Sequence, residues 1–266
     1  MRALLAQLTP APGDPPRNAA AAAAVLRAHR DADLALFPEL FLSGYRLADL
    51  EEVASDPEGP ELRAVADACR EAETAAIIGF VEHSPSGFRN AVACIDESGS
   101  LVATYRKAYL FGDEADVFTA GEWLVVVELA GRMVAPLICL DVEFPELARA
   151  AALAGADLLA TSAANMEPFE HDHLIHTTAR ALENRIPHLY VNRGGEESGM
   201  RFVGASRSVD SSGAVVAEAA GERDEVVLVD VGAAGSDDPR VDYLSFQPTR
   251  LPVEVHSRSQ SGGGTR

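Results

Sequence analysis

Three residues able to form covalent bonds or move protons stand where apolar runs of this chain stop. They are Glu39 after Leu-Ala-Leu-Phe-Pro, Lys107 after Leu-Val-Ala-Thr-Tyr-Arg, and Cys139 after Val-Ala-Pro-Leu-Ile. Strand ends are where α/β proteins build their sites, because the chain leaves the sheet there and turns side chains into a crevice. A thiol attacks as its thiolate, a carboxylate moves protons, and an ammonium steadies developing negative charge. Taken singly, each residue also has a structural reading as a packed thiol or an ion-pair member, and such roles outnumber catalytic ones. The three together carry more weight than any one of them.

Other combinations are weaker. His171, His173 and His176, with Asp172, would put two imidazoles on neighbouring positions of a helix. The HExxH pattern is absent, however, and a solvated or substrate-adjacent helix start accounts for them, so no metal is expected. Cys139, His188 and Asn192 have the composition of a papain-type triad without its local sequence. Gly112 and the pair Gly194-Gly195 lack a phosphate-loop context, which leaves nucleotide binding without support. Cys69, Cys94 and Cys139 are odd in number and include no CxxC, so neither a disulfide framework nor a thiolate zinc site is indicated.

The elements that must position the three residues follow from pattern. Residues 2–8 and 34–37 read as strands around an alanine-rich helix over 14–29, with Asp14 as its cap and proline in its first turn. A second helix is predicted over 60–73, where Leu62, Val65, Ala66 and Cys69 share one face. Strands over 75–82, 90–96 and 101–105 follow, the last two joined by Glu97-Ser98-Gly99-Ser100. Cys69 and Cys94 are then core residues. A strand pair over 125–129 and 132–139 leads to a helix from Pro145 to about residue 154, stopped by Gly155. A strand over 158–161, a helix over 173–184, and strands over 188–192, 203–210, 214–217 and 226–231 complete a mixed α/β domain. The domain is expected to span residues 1–256, with 257–266 as a disordered tail.

The totals agree with a folded protein. The chain of 266 residues is 47% hydrophobic and 24% charged, far from the signature of disorder. With 22 Lys and Arg against 41 Asp and Glu, the formal net charge is −19. That charge disfavours nucleic acid and anionic membranes as partners. No apolar run approaches the roughly 18 to 20 residues that span a bilayer, and the start of the chain does not complete a secretory hydrophobic region. A cytoplasmic location is expected.

The local sequences around the three residues resemble known signatures. Phe37-Pro38-Glu39 with Gly44-Tyr45, Tyr105-Arg106-Lys107, and Ile138-Cys139-Leu140-Asp141 with Phe144-Pro145-Glu146 are similar to the three motifs of the nitrilase superfamily, the carbon-nitrogen hydrolases, in its amidase-like branch. The order Glu, Lys, Cys agrees. Further similarities at Leu110-Phe111, Glu114, Arg180 to Asn184, Asn192-Arg193 and Gly204-Ala205-Ser206 extend the resemblance over roughly residues 1–245. It implies a four-layer αββα sandwich, usually paired with a second subunit, so a homodimer or higher homo-oligomer is expected. It also implies that no cofactor and no metal take part.

The resemblance assigns roles. Cys139 would attack a carbonyl carbon, Glu39 would be the general base, and Lys107 with the backbone N–H of Leu140 would stabilise the oxyanion. Glu114 would hold Lys107 and orient substrate or base. Lys107 and the helix N-terminus after Phe144 would lower the cost of the thiolate. Tyr45, Glu143, Asn165 and Met166 match positions that line the pocket. Leu140 and Tyr109 depart from the residues usual at their positions, aromatic and histidine respectively. The expected activity is hydrolysis of a small carboxamide or N-carbamoyl compound to acid plus ammonia or amine. The competing readings are nitrile hydrolysis, acyl transfer to an amine, and a non-catalytic binding protein on the same fold.

Overall fold

The structure is a computed structural model that describes residues 1–235 and 243–244. The expected boundary at residue 256 and the tail over 257–266 lie outside the described residues. The first half of the chain builds β1 (Arg2–Gln7), α1 (Pro15–Ala28), β2 (Leu34–Leu36), α2 (Leu50–Val53), α3 (Pro60–Ala72), β3 (Ala75–Ser84), β4 (Gly87–Ile95), β5 (Leu101–Arg106) and α4 (Glu114–Val117). The second half builds β6 (Val127–Leu129), β7 (Arg132–Ile138), a 3-10 turn over Cys139–Glu143, α5 (Pro145–Leu153), β8 (Leu158–Ala163) and α6 (Glu170–Asn184). It ends with β9 (His188–Asn192), β10 (Gly194–Glu197), β11 (Met200–Val203), β12 (Arg207–Val209), β13 (Val215–Glu218) and β14 (Glu225–Asp230).

Two six-stranded sheets result, in the orders β14-β1-β2-β3-β4-β5 and β13-β12-β9-β8-β7-β6. They are built alike. Each has three consecutive parallel strands, β1-β2-β3 or β7-β8-β9, flanked by antiparallel neighbours. Parallel strands need both faces covered, and both sheets are covered. Ala3, Leu5, Ile77 and Val92 of the first sheet meet Val134, Leu158, Ala160 and Leu189 of the second in one buried layer. Helices α1 and α3 cover the outside of the first sheet through Ala22, Leu26, Val65 and Cys69, and α5 covers the second through Ala148, Ala151 and Ala152. This is the αββα sandwich expected.

Helix α1 starts as predicted, with the Asp14 side chain accepting from the Arg17 N–H and proline in the first turn. Helix α3 buries Leu62, Val65, Ala68, Cys69 and Ala72, while Ala66 is half-buried. The strand expected over 203–210 is interrupted. Gly204 and Ala205 adopt φ of 60° and 58°, which no strand accommodates. Val203 therefore closes the β10–β11 hairpin, and β12 begins only at Arg207. Among the described residues no helix is long and apolar enough to cross a membrane.

Candidate active site

Strands of both sheets end at one point, and the chemistry-bearing residues collect there. Glu39 follows β2 in a turn tied to the second sheet, where the Ser162 hydroxyl donates to the Phe37 carbonyl at 2.8 Å and the Glu39 N–H donates to the Ala163 carbonyl at 3.3 Å. The turn also presses on β3. A Cβ added at Gly79 would stand 2.4 Å from both the Leu40 nitrogen and the Pro38 oxygen, so this position tolerates no side chain. Lys107 follows β5, its N–H bonded to the Asn90 carbonyl and its own carbonyl to the Gly121 N–H. Cys139 follows β7 with φ of 47°, a left-handed conformation that costs energy in a residue with a Cβ and turns the sulfur out of the sheet.

Asp141 holds that turn. Its carboxylate accepts from the Tyr105 hydroxyl at 2.7 Å, the Tyr109 N–H at 2.9 Å and the Ile138 N–H at 3.0 Å. It thereby links the strand before Lys107 to the strand before Cys139. Tyr109 itself stacks on Phe144 with ring centroids 3.9 Å apart.

Lys107, Glu39 and Glu114 form a buried triplet with no side-chain exposure. The Lys107 ammonium lies 2.7 Å from Glu39 Oε1 and 2.7 Å from Glu114 Oε2. Three neutral donors complete the set. Asn90 Nδ2 reaches Glu39 Oε1 at 2.7 Å and Glu114 Oε1 at 3.2 Å, the Tyr45 hydroxyl reaches Glu114 Oε1 at 2.8 Å, and the Phe111 N–H reaches Glu114 Oε2 at 2.8 Å. Glu39 Oε2 has no protein partner. One oxygen of that carboxylate is thus pinned and the other is free to take a proton.

The charges act on one another. Burial is the largest influence on Glu39 and, with Glu114 beside it, raises its pKa against the opposing pull of Lys107. Burial works against the Lys107 charge, but Glu39 and Glu114 outweigh it and hold the ammonium above its ordinary pKa. Cys139 departs from expectation. Burial first, then Glu39, push the thiol well above its ordinary value, and neither Lys107 nor the Ala164 N–H reverses this. The Cys139 side chain is therefore a neutral thiol near a carboxylate. Helix α5 starts at Pro145, after Phe144 as the sequence indicates, with the 3-10 turn Cys139–Glu143 between it and the strand that ends at the thiol.

A cavity of about 160 Å³ opens beside Cys139. Tyr45, Leu140, Glu143, Asn165 and Met166, all anticipated, line it. The Asn165 side chain is occupied in bracing its own loop, donating to the Phe169 carbonyl at 3.1 Å and accepting from the Met166 N–H at 3.0 Å. Sequence reasoning missed Asn90, whose signal was an amide directly before the apolar run Ala91 to Ile95 of a strand. It also gave His173 too small a part. That residue is buried at the cavity wall, its Nδ1 lying 2.8 Å from the Tyr190 hydroxyl and its Nε2 3.4 Å from Glu143 Oε1. The papain-like alternative does not assemble, because His188 is bonded to Thr161 and the Thr177 carbonyl, and Asn192 braces Asn165 and Gly204. Among the described residues no group of three His, Cys, Asp or Glu side chains is placed to hold a metal.

Residues 2–237 match the carbon-nitrogen hydrolase family. The chain is a carbon-nitrogen hydrolase. A hydrolase from the pqqF 5′ region of Pseudomonas protegens is 39% identical over 235 residues, 86% of this chain and 81% of that protein. An (R)-stereoselective amidase from Pseudomonas sp. is 37% identical over 198 residues, 74% and 71% of the two chains. The structure of a Glu-to-Gln mutant of the amidase from Nesterenkonia sp., with the acetamide moiety of fluoroacetamide added covalently at its active-site cysteine, aligns with a TM-score of 0.79. It is 31% identical and covers 93% of each chain. This carbon-nitrogen hydrolase thus shares its fold with the Nesterenkonia amidase over the aligned length.

Proposed function

We propose that this carbon-nitrogen hydrolase cleaves a small carboxamide to acid and ammonia through a thioester on Cys139. The observation that carries the reading is the Glu39 carboxylate. One of its oxygens is bonded to Lys107 and Asn90 and the other is unpartnered, and its charge acts on the thiol of Cys139, which lines the cavity. As the sulfur attacks the carbonyl carbon, Glu39 Oε2 takes the thiol proton. The carbonyl oxygen becomes an anion facing the Leu140 N–H, in the first turn of a 3-10 helix where such groups have no helical partner, and steadied by the positive charge of Lys107. Glu39 hands its proton to the nitrogen, ammonia departs, and the thioester remains. Water then enters, Glu39 takes one of its protons as the hydroxide oxygen adds to the thioester carbon, the C–S bond breaks to release the acid, and Glu39 returns the proton to the sulfur. One base serves both halves of the cycle. The covalent cysteine adduct in the Nesterenkonia amidase supports the same nucleophile here.

The test is mass spectrometry of the intact protein with a panel of short aliphatic amides and nitriles. The unmodified protein, acid-quenched during turnover, should carry an added acyl mass on Cys139, Glu39→Gln should lose ammonia release because it lacks the base of both steps, and Cys139→Ala should neither gain mass nor release ammonia. Ammonia release by Cys139→Ala at the unmodified rate overturns the reading. Consumption of nitriles but not amides would replace it with nitrile hydrolysis.

A further inference from the structure

The lining of the cavity beside Cys139 is mixed. Phe111, Leu140, Ala164, Met166 and Phe169 are apolar, Glu143, Asp172 and His173 are ionisable, and the polar groups of Tyr45 and Asn165 are committed to Glu114 and to the Phe169 carbonyl. No Lys or Arg is among the described residues that line it. The one deeper cation, Lys107, is already bonded to two carboxylates.

Glu143 is oriented without being neutralised. His173 lies 3.4 Å from one of its oxygens and is held from behind by Tyr190 at 2.8 Å. Burial lowers the pKa of His173 and raises that of Tyr190. The consistent tautomer is therefore a neutral imidazole that accepts from the phenol and donates to Glu143. That hydrogen bond, foremost, keeps the Glu143 carboxyl below its ordinary pKa. The Arg180 guanidinium lies under the same turn, but it is committed to the Val142 and Glu143 carbonyls and to the Glu183 carboxylate. Glu143, whose side chain is 27% exposed, thus presents a fixed negative charge to a cavity whose described lining is about half apolar side chains and holds no cation. Asp172 adds a second carboxylate at its exposed edge.

We propose that Glu143 selects the substrate: the pocket takes amides whose acyl group is apolar next to the carbonyl and ends in an ammonium, and it rejects those ending in a carboxylate. The proposal rests on the amidase reading above. An anionic tail would be brought against two carboxylates with no free cation in the wall, whereas an ammonium tail replaces its lost hydration with a charged acceptor.

Three amides of matched chain length test it: 3-aminopropanamide, butanamide and succinamate, followed by ammonia release. The unmodified protein should give a kcat/KM for 3-aminopropanamide at least tenfold above that for butanamide, about 1.4 kcal/mol, and succinamate should fall at least tenfold below butanamide. Glu143→Gln should lower the cation-to-neutral ratio at least tenfold, and Asp172→Asn, at the exposed edge, should lower it by a smaller factor. A ratio is used because a merely structural loss would slow all three amides alike. Hydrolysis of all three with no preference for the cation, or with succinamate preferred, overturns this proposal and leaves the amidase reading intact. Hydrolysis of none of them overturns both.

Discussion

Replacing Glu114 by glutamine tests whether the second carboxylate sets the strength of the base. Glu39 Oε1 and Glu114 Oε1 lie 2.7 and 2.9 Å from the same ammonium nitrogen, so they are separated by no more than the sum of those distances. At roughly 5 Å and an effective dielectric near 20, two like unit charges repel by about 3 kcal/mol. That repulsion opposes ionisation of Glu39, raises its pKa and makes it a stronger proton acceptor. Without it, Glu39 ionises at lower pH and accepts the thiol proton less readily. The acid limb of the kcat/KM profile for ammonia release should move to lower pH, and the plateau should fall by up to about a hundredfold. Glutamine also turns an N–H toward one of the donors that Glu114 now accepts, Lys107, Phe111, Tyr45 or Asn90, at a stability cost of about 1 to 3 kcal/mol. Urea unfolding measures that cost separately, so rates can be compared where both proteins are folded. An acid limb that stays in place or moves to higher pH, or an unchanged plateau, would refute the electrostatic role of Glu114.

Three further outcomes are expected. Gly79→Ala puts a methyl against the backbone of the Glu39 turn and should lower kcat about a hundredfold through displacement of the base, with circular dichroism showing the fold retained. Glu197→Leu strands the buried Arg193, whose guanidinium bonds Glu197 and lies 4.1 Å from the Phe202 ring centroid. It should cost about 3 to 5 kcal/mol in urea unfolding, and the double change Arg193→Met/Glu197→Leu should recover at least half. His188 is buried with both ring nitrogens bonded, and burial chiefly depresses its pKa from 6.5 to about 4. The unfolded chain therefore binds a proton that the native one refuses. This contribution is complete above the unfolded value and falls by roughly 3 kcal/mol as pH drops from 6.5 to 4. His188→Gln should flatten that slope, and an unaltered slope would be the contrary result.

The first strands, α1, α3 and the hairpin closed by Ser98-Gly99 were legible because each is specified locally, by a cap, a 3.6-residue repeat or a turn. The short helices Leu50–Val53 and Glu114–Val117 were not. Four residues give no periodicity to read, and what holds them is contact with β3 and with the buried triplet. The β10–β11 hairpin was hidden for a related reason. Glu196, Glu197, Ser198 and Gly199 read as a polar loop, and only the pairing of Gly194 with Val203 shows the ladder. At the site, residue types announced Glu39, Lys107 and Cys139, but the protonation state of the thiol depends on the balance of burial, two carboxylates and one ammonium. No local pattern encodes that balance. His173 was obscured because its partners, Tyr190 and Glu143, come from a strand and a turn on either side of it in sequence.

In the proposed reaction, the composition of the buried triplet governs when the Cys139 thiol gives up its proton. A lone Glu39–Lys107 pair would be neutral, and a neutral pair in a buried site leaves the carboxylate a weak base, because its charge is already satisfied. Glu114 makes the set one charge more negative. Burial foremost, and that excess charge with it, disfavour a standing thiolate, and Cys139 accordingly stays protonated at rest. The same excess strengthens Glu39, which can then remove the thiol proton when the negative charge moves onward to a carbonyl oxygen facing other donors. Thiolate formation is thereby tied to the presence of an electrophile. The strained turn at Cys139 and the three hydrogen bonds to Asp141 hold the sulfur in place while that transfer occurs, so attack demands movement of a proton and electrons rather than of the chain.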